Sequence, residues 1–197
     1  TVGYLVAMIS GLAFAYFGQN WIMHGLFLFG QSVVFFSGLL LTAALWPWKK
    51  EYRVHDSAYA RWGAVDLERL AVFVMAVATL GSAIFGAVAG SYWGKGQEAF
   101  LAEDIVRDPE KSLLALAVIG HLHIMLTLIA VAVLLILGKW FDFKGRLHAW
   151  AMWLLIIGTL IVTAGVWSIV VYEPTAHIII NVGSLPMLVA SLLLVAF

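Results

Sequence analysis

Residues 113–137 read LLALAVIGHLHIMLTLIAVAVLLIL, an uncharged apolar run that carries two imidazoles, His121 and His123. A helix needs about 20 such residues to cross the hydrocarbon of a bilayer, so this stretch sets the fold class: a membrane-spanning helix. Ionisable rings are costly in lipid, and two of them demand a reason. Residues two apart on a helix project about 200° from each other. His121 and His123 therefore face opposite sides of one helix, cannot share a metal ion, and each need a partner of their own.

The rest of the chain agrees with that span. Of 197 residues, 63% are hydrophobic and 11% charged, with a mean hydropathy of +1.01. That leaves too little polar surface to cover a soluble globule. The formal net charge is zero, and neither a basic tract nor a Gly-rich phosphate loop is present, so no nucleic-acid or nucleotide partner is expected. Cysteine is absent. This excludes disulfides, thiolate metal sites, Cys-ligated iron–sulfur clusters and covalent c-type haem, so any haem is held noncovalently.

The charge map divides the chain into six apolar spans, near 3–18, 21–46, 67–91, 112–138, 147–171 and 176–197. Continuous apolar runs without alternation read as helices rather than barrel strands. The expectation is an all-α membrane protein, one bundle of about six transmembrane helices over 1–197, as a subunit or part of a larger assembly. The chain begins at Thr1 and stops at Phe197 inside an apolar run, as expected of a processed or partial polypeptide. The first span has no basic leader or small-residue cleavage site, so no cleavable signal peptide is expected.

Lys49, Lys50, Arg53 and Arg61 lie in the 47–66 loop, and Lys139, Lys144 and Arg146 in the 139–146 loop. The positive-inside rule places both on the cytoplasmic side, expected to be that of a prokaryotic cytoplasmic membrane. The acid-rich 92–111 loop then lies outside. Within it, Gln97–Val106 reads as a short headgroup-plane helix or a docking surface, and Asp108-Pro109-Glu110 as the start of the fourth helix. Trp46, Trp48, Trp62, Trp93 and Trp140 fall near helix ends, where an indole anchors at the interface. Pro186 is expected to kink the sixth helix.

This topology sorts the six histidines. His24, His121, His123 and His177 come from three helices near the outer face and are expected in the bundle interior. His55 reads as solvated, and His148, beside Arg146, as a surface or phosphate-contacting residue. Neutral imidazole ligates haem iron well, and two helices can clamp a porphyrin with one His each. The opposed pair makes the fourth helix a divider between two b-type haems, with His24 and His177 as available second ligands. Gly25, Gly30, Gly120, Gly165 and Gly183 would let a macrocycle approach, and Asn181 shares a face with His177 and could orient it. Hydrogen bonding to Thr127, Thr163 or Ser168 is the bland alternative for His121 and His123. Counting back to the cytoplasmic charges, His121 lies 18 residues before Lys139 and His24 lies 25 before Lys49. The mismatch is about 10 Å, which tilt or an early end to the second helix must absorb.

Gly120-His121-Leu122-His123-Ile124-Met125-Leu126 resembles the H-x-H helix of haem-copper oxidase and nitric oxide reductase catalytic subunits. Trp21-Ile22-Met23-His24-Gly25 is similar to the early-helix histidine of that family. The resemblance implies that His24 and His123 hold a low-spin haem and His121 a second haem on the other side. The chain departs from the family in having half its helices and no cluster of three further histidines for copper. A reduced, electron-transferring relative, or an independent dihaem cytochrome b, with His177 closing the site, is the nearer expectation. No helix carries two histidines 13 or 14 apart, the spacing of respiratory cytochrome b.

The function read from these residues is a cytochrome b subunit of a respiratory electron-transfer complex. It would exchange electrons with quinone or quinol and with partner subunits or a cytochrome c. In that reading Glu98, Glu103 and Asp104 accept protons or guide a basic cytochrome. Two other classes compete: a histidine-lined proton or metal transport bundle, and a cofactor-free scaffold subunit.

Overall fold

The computed structural model describes residues 2–17, 21–55, 61–92 and 112–196. Among the described residues six α-helices carry the fold: α1 (Val2–Phe17), α2 (Trp21–Ala44), α3 (Leu67–Tyr92), α4 (Leu113–Trp140), α5 (Gly145–Ser168) and α6 (Glu173–Val195). Five of them, α2 to α6, are long and apolar enough to cross a membrane, and the chain is an integral membrane protein of the all-α class. The only strands among the described residues are two-residue pieces in the connection before α3, Arg61–Trp62 and Val65–Asp66. They pair antiparallel across a two-residue turn with Gly63 at φ +60°, where a missing Cβ removes the steric cost.

The helices begin and end where local chemistry allows. The Asp66 carboxylate accepts the Glu68 backbone N–H at 2.9 Å, and the Ser112 hydroxyl accepts that of Ala115 at 3.2 Å. Each satisfies a donor that the first helical turn leaves open. The expected start at Asp108-Pro109-Glu110, the 97–106 segment and Trp93 lie outside the described residues. Between α4 and α5 the chain reverses through Asp142 (φ 53°) and Gly145 (φ 88°), with the Phe143 N–H on the Gly138 carbonyl at 3.0 Å. Pro186 sits inside α6, and the helix runs through it.

α5 is the buried centre, with 56% of its span enclosed against 6% for α2. It packs on α3, α4 and α6, while α1 and α2 form a peripheral pair that joins the bundle through α3. The largest apolar cluster lies at the end bearing the 45–66 and 141–144 connections. It joins Leu67, Leu70 and Ala71 of α3, Val131 and Leu135 of α4, Met152 and Leu155 of α5, and Ala190 and Leu194 of α6. In lipid the hydrophobic effect does not hold helices together, so close packing must. At the α5–α6 contact, a Cβ on Gly183 would lie 2.8 Å from the Val162 backbone nitrogen. Glycine is what lets those backbones meet. Trp46, Trp48, Trp62 and Trp140 are exposed at this same end of the bundle, as expected of interfacial anchors.

Candidate functional site

His121 and His123 leave α4 in opposite directions. His121 is half-buried against α3, and its Nδ1 lies 3.2 Å from the Ser82 carbonyl oxygen. His123 is exposed, with Nδ1 2.7 Å from the Ile119 carbonyl one turn back. A carbonyl can only accept, so the tautomer is assigned from the acceptor: in its neutral form each ring carries its hydrogen on Nδ1 and leaves the Nε2 lone pair bare. This is the state in which an imidazole ligates a metal, its second N–H held by an outer partner that fixes the ring. The partners are backbone carbonyls, not the Thr127, Thr163 or Ser168 side chains. Those hydroxyls donate to the carbonyls of His123, Thr159 and Gly165.

Gly86 makes the His121 contact. It lies one turn beyond Ser82 on α3, and a Cβ there would fall 2.8 Å from both Nδ1 and Cε1 of the His121 ring. With no Cβ, the imidazole reaches past residue 86 to the Ser82 carbonyl. The Ser82 hydroxyl is fully buried and has no hydrogen-bond partner among the described residues, whereas Thr79 on the same helix donates back to Met75 at 2.8 Å. Reading the sequence missed Gly86 and Ser82, because nothing in either residue type shows which histidine faces it. The glycines expected to admit a macrocycle serve helix packing instead. Gly30 abuts Ala7, Gly120 abuts Val166 and Ile169, Gly165 abuts Ile179 and Ile180, and Gly183 abuts Ile161 and Val162. Only Gly25 of that set has open space around its Cβ position.

The interior placement expected for all four outer histidines is corrected for two of them. His123 and His177 are exposed, and His24 and His121 are half-buried. The physical reason is that α4 and α6 each bury one face on α5, and 123 and 177 fall off that face. His177 is bonded through Nε2 to the Glu173 carboxylate at 3.3 Å, an i,i+4 pair, rather than oriented by Asn181. His24 stands on the first turn of α2, which packs on α1 and α3.

Their depths agree. α2 ends at Ala44, before the Lys49 used to estimate its length, so His24 lies 20 residues (44 − 24) from its helix end. His121 lies 19 (140 − 121) and His123 lies 17 (140 − 123) from the end of α4, and His177 lies 18 (195 − 177) from the end of α6. The early end of α2 absorbs the mismatch of about 10 Å.

His148 is corrected outright. It is 2% exposed, with Nε2 2.9 Å from a carboxylate oxygen of Glu68, whose other oxygen lies 3.6 Å from Lys139 Nζ. The group joins α5, α3 and α4 at the end of the bundle away from His121. The residue turns inward because α5, the most enclosed helix, has little outward surface, and Glu68 in the first turn of α3 supplies a polar partner. Its Nδ1 is buried without a partner among the described residues. His55 is exposed, as expected. Glu98, Glu103 and Asp104 lie outside the described residues.

No three His, Cys, Asp or Glu side chains converge on a common point among the described residues. Nor does a histidine line either of two surface cavities. One, of about 430 Å3, is framed by Val72, Met75, Leu135, Ile136, Lys139 and Trp140. The other, of about 380 Å3, is framed by Val2, Gly3, Tyr4, Val33, Val34 and Ser37. Comparison of the chain with protein-family models, curated proteins and solved structures found no match.

Proposed function

We propose that this chain is a membrane b-type cytochrome subunit, in which His121 and His123 ligate separate haems and pass electrons between quinone or quinol and a partner redox subunit. The observation that carries the reading is the pair of oppositely directed imidazoles on α4, each with Nδ1–H on a backbone carbonyl and Nε2 free to bind iron. Protein sites for bare zinc supply three or four ligands, whereas haem iron, already held by four pyrrole nitrogens, takes one imidazole from each side. Single histidines at matched depth fit the second requirement. His24, at a similar distance from its helix end, would be a candidate second ligand, and His177 would be one only with its Nε2 released from Glu173.

Haem bound there supplies reversible one-electron transfer. The chain's residues hold each imidazole through Nδ1 in one direction, and would surround a bound iron with apolar side chains and lipid, a low-dielectric setting that would tune its potential. By the positive-inside rule the end bearing Lys49, Lys50, Lys139 and Lys144 is cytoplasmic, and haems held by these histidines would lie toward the opposite face. The exposure of His123 and His177 suits a subunit whose neighbours complete the redox centre.

A second reading draws on a different observation. His148, buried, is hydrogen-bonded to the half-buried Glu68 carboxylate, a pair that a proton-conducting bundle could use. That pair sits at the cytoplasmic end, with about 25 Å of helix between it and the level of His121. The two readings separate in one preparation. A dithionite-reduced minus oxidised spectrum of the purified protein shows a b-type α band if the first holds, and two haems per chain by pyridine haemochrome. A colourless protein that takes up no haemin on reconstitution, yet moves protons across vesicles, rejects the first and supports the second.

A further inference from the structure

α6 presses Ala176, Gly183, Ala190 and Leu194 into the bundle. On its flank His177, Asn181, Ser184, Leu188, Ser191 and Val195 follow one another at intervals of four, three, four, three and four residues. The neighbouring exposed row Ile178, Val182, Leu185, Val189 and Leu192 has the same spacing but is wholly apolar, so polar and small residues are what set the His177 seam apart. All six of its residues are exposed except Ser191, which is half-buried. The Ser184 and Ser191 hydroxyls donate to the carbonyls of Ile180 and Met187 at 2.8 and 2.9 Å, so they offer small, satisfied surfaces. Asn181 differs. It stands eight residues (181 − 173) into α6, about 12 Å along the helix. Its exposed amide has no hydrogen-bond partner among the described residues. Lipid tails offer none, and an amide at this depth calls for a second helix.

We infer that this seam is an intramembrane interface with a second copy of the same chain, α6 against α6. Copies inserted in one membrane share one orientation, so a two-fold axis along the membrane normal sets the two helices parallel and brings Asn181 opposite Asn181 at equal depth. A primary amide is both donor and acceptor, so each satisfies the other. A seam of serines between them permits the close approach such a bond requires.

The chain has no cysteine, so single cysteines report this contact without background. In native membranes of the full chain, Ser184→Cys, Leu188→Cys and Ser191→Cys cross-link to dimers on mild oxidation, and the off-seam variants Ile178→Cys, Val182→Cys and Val189→Cys do not. Adding Asn181→Leu to Ser184→Cys lowers dimer yield about three- to tenfold, the range an interhelical amide pair spans. Asn181→Gln, which keeps the amide, retains it, and so does Gln31→Leu on α2. Three results overturn the inference: equal yields on and off the seam, no dimer at any seam position, or a yield indifferent to Asn181→Leu. Cross-linking to a different polypeptide in place of a dimer would equally reject the second copy as occupant. None of these readouts depends on haem.

Discussion

Replacing Gly86 by alanine tests the candidate site at its narrowest point. The added Cβ would stand 2.8 Å from Nδ1 and Cε1 of His121, where ordinary contact begins at 3.4 Å. If the ring backs straight away it retreats by 3.4 − 2.8 = 0.6 Å. The bond to Ser82, now 3.2 Å, then stretches to about 3.8 Å, beyond hydrogen-bonding distance. Losing it costs about 0.5–1.5 kcal/mol, and alanine in place of a mid-helix glycine returns about 0.5–1 kcal/mol. Stability should therefore change by less than about 1 kcal/mol, while the imidazole loses its anchor. The assays are thermal unfolding in detergent, haem per chain, and nitrogen NMR of ring-labelled histidine. The expected result is a nearly unchanged Tm, loss of the His121 Nδ1–H signal, and a displaced potential or loss of one haem of two. Gly25→Ala, with nothing within 4 Å of the new Cβ, serves as the neutral control. An unchanged His121 signal in Gly86→Ala would refute the geometric argument. A lost signal with haem content and potential both intact would refute the ligand role alone.

Further outcomes follow from the same contacts. His121→Leu and His123→Leu should each remove one haem and leave the other, read by haemochrome stoichiometry; loss of neither rejects both as ligands. His148→Phe leaves the Glu68 carboxylate without its main partner and should destabilise the protein by about 1.5–3 kcal/mol. The double variant with Glu68→Leu should recover part of that, and strict additivity in a double-mutant cycle would show that the pair is not coupled. Gly183→Ala places a methyl 2.8 Å from the Val162 backbone nitrogen and should separate α5 from α6, costing at least about 1–3 kcal/mol by overpacking; an unchanged Tm would contradict the close contact. Single cysteines at Lys50 and Lys144 should be labelled by an impermeant maleimide from the cytoplasmic side only, and labelling from opposite sides would break the assigned topology.

The number of helices, their approximate limits and the membrane as their solvent were legible in the chain itself. Lipid leaves a spanning segment little choice: it must satisfy its own backbone, so any uncharged run of sufficient length becomes a helix whatever its neighbours do. The opposition of His121 and His123 was legible for the same reason, since two residues of separation on a helix set their relative direction with no reference to tertiary contacts. Which way that helix turns about its own axis was not. All faces of α4 and α5 are apolar, so hydrophobic patterning carries no rotational signal. Only packing among α3, α4, α5 and α6 decided that His121 meets Gly86, that His123 and His177 face outward, and that His148, whose neighbours Arg146 and Leu147 are exposed, is sealed against Glu68. Within a bilayer, sequence dictates what spans, and the fit of side chains between helices dictates what faces what.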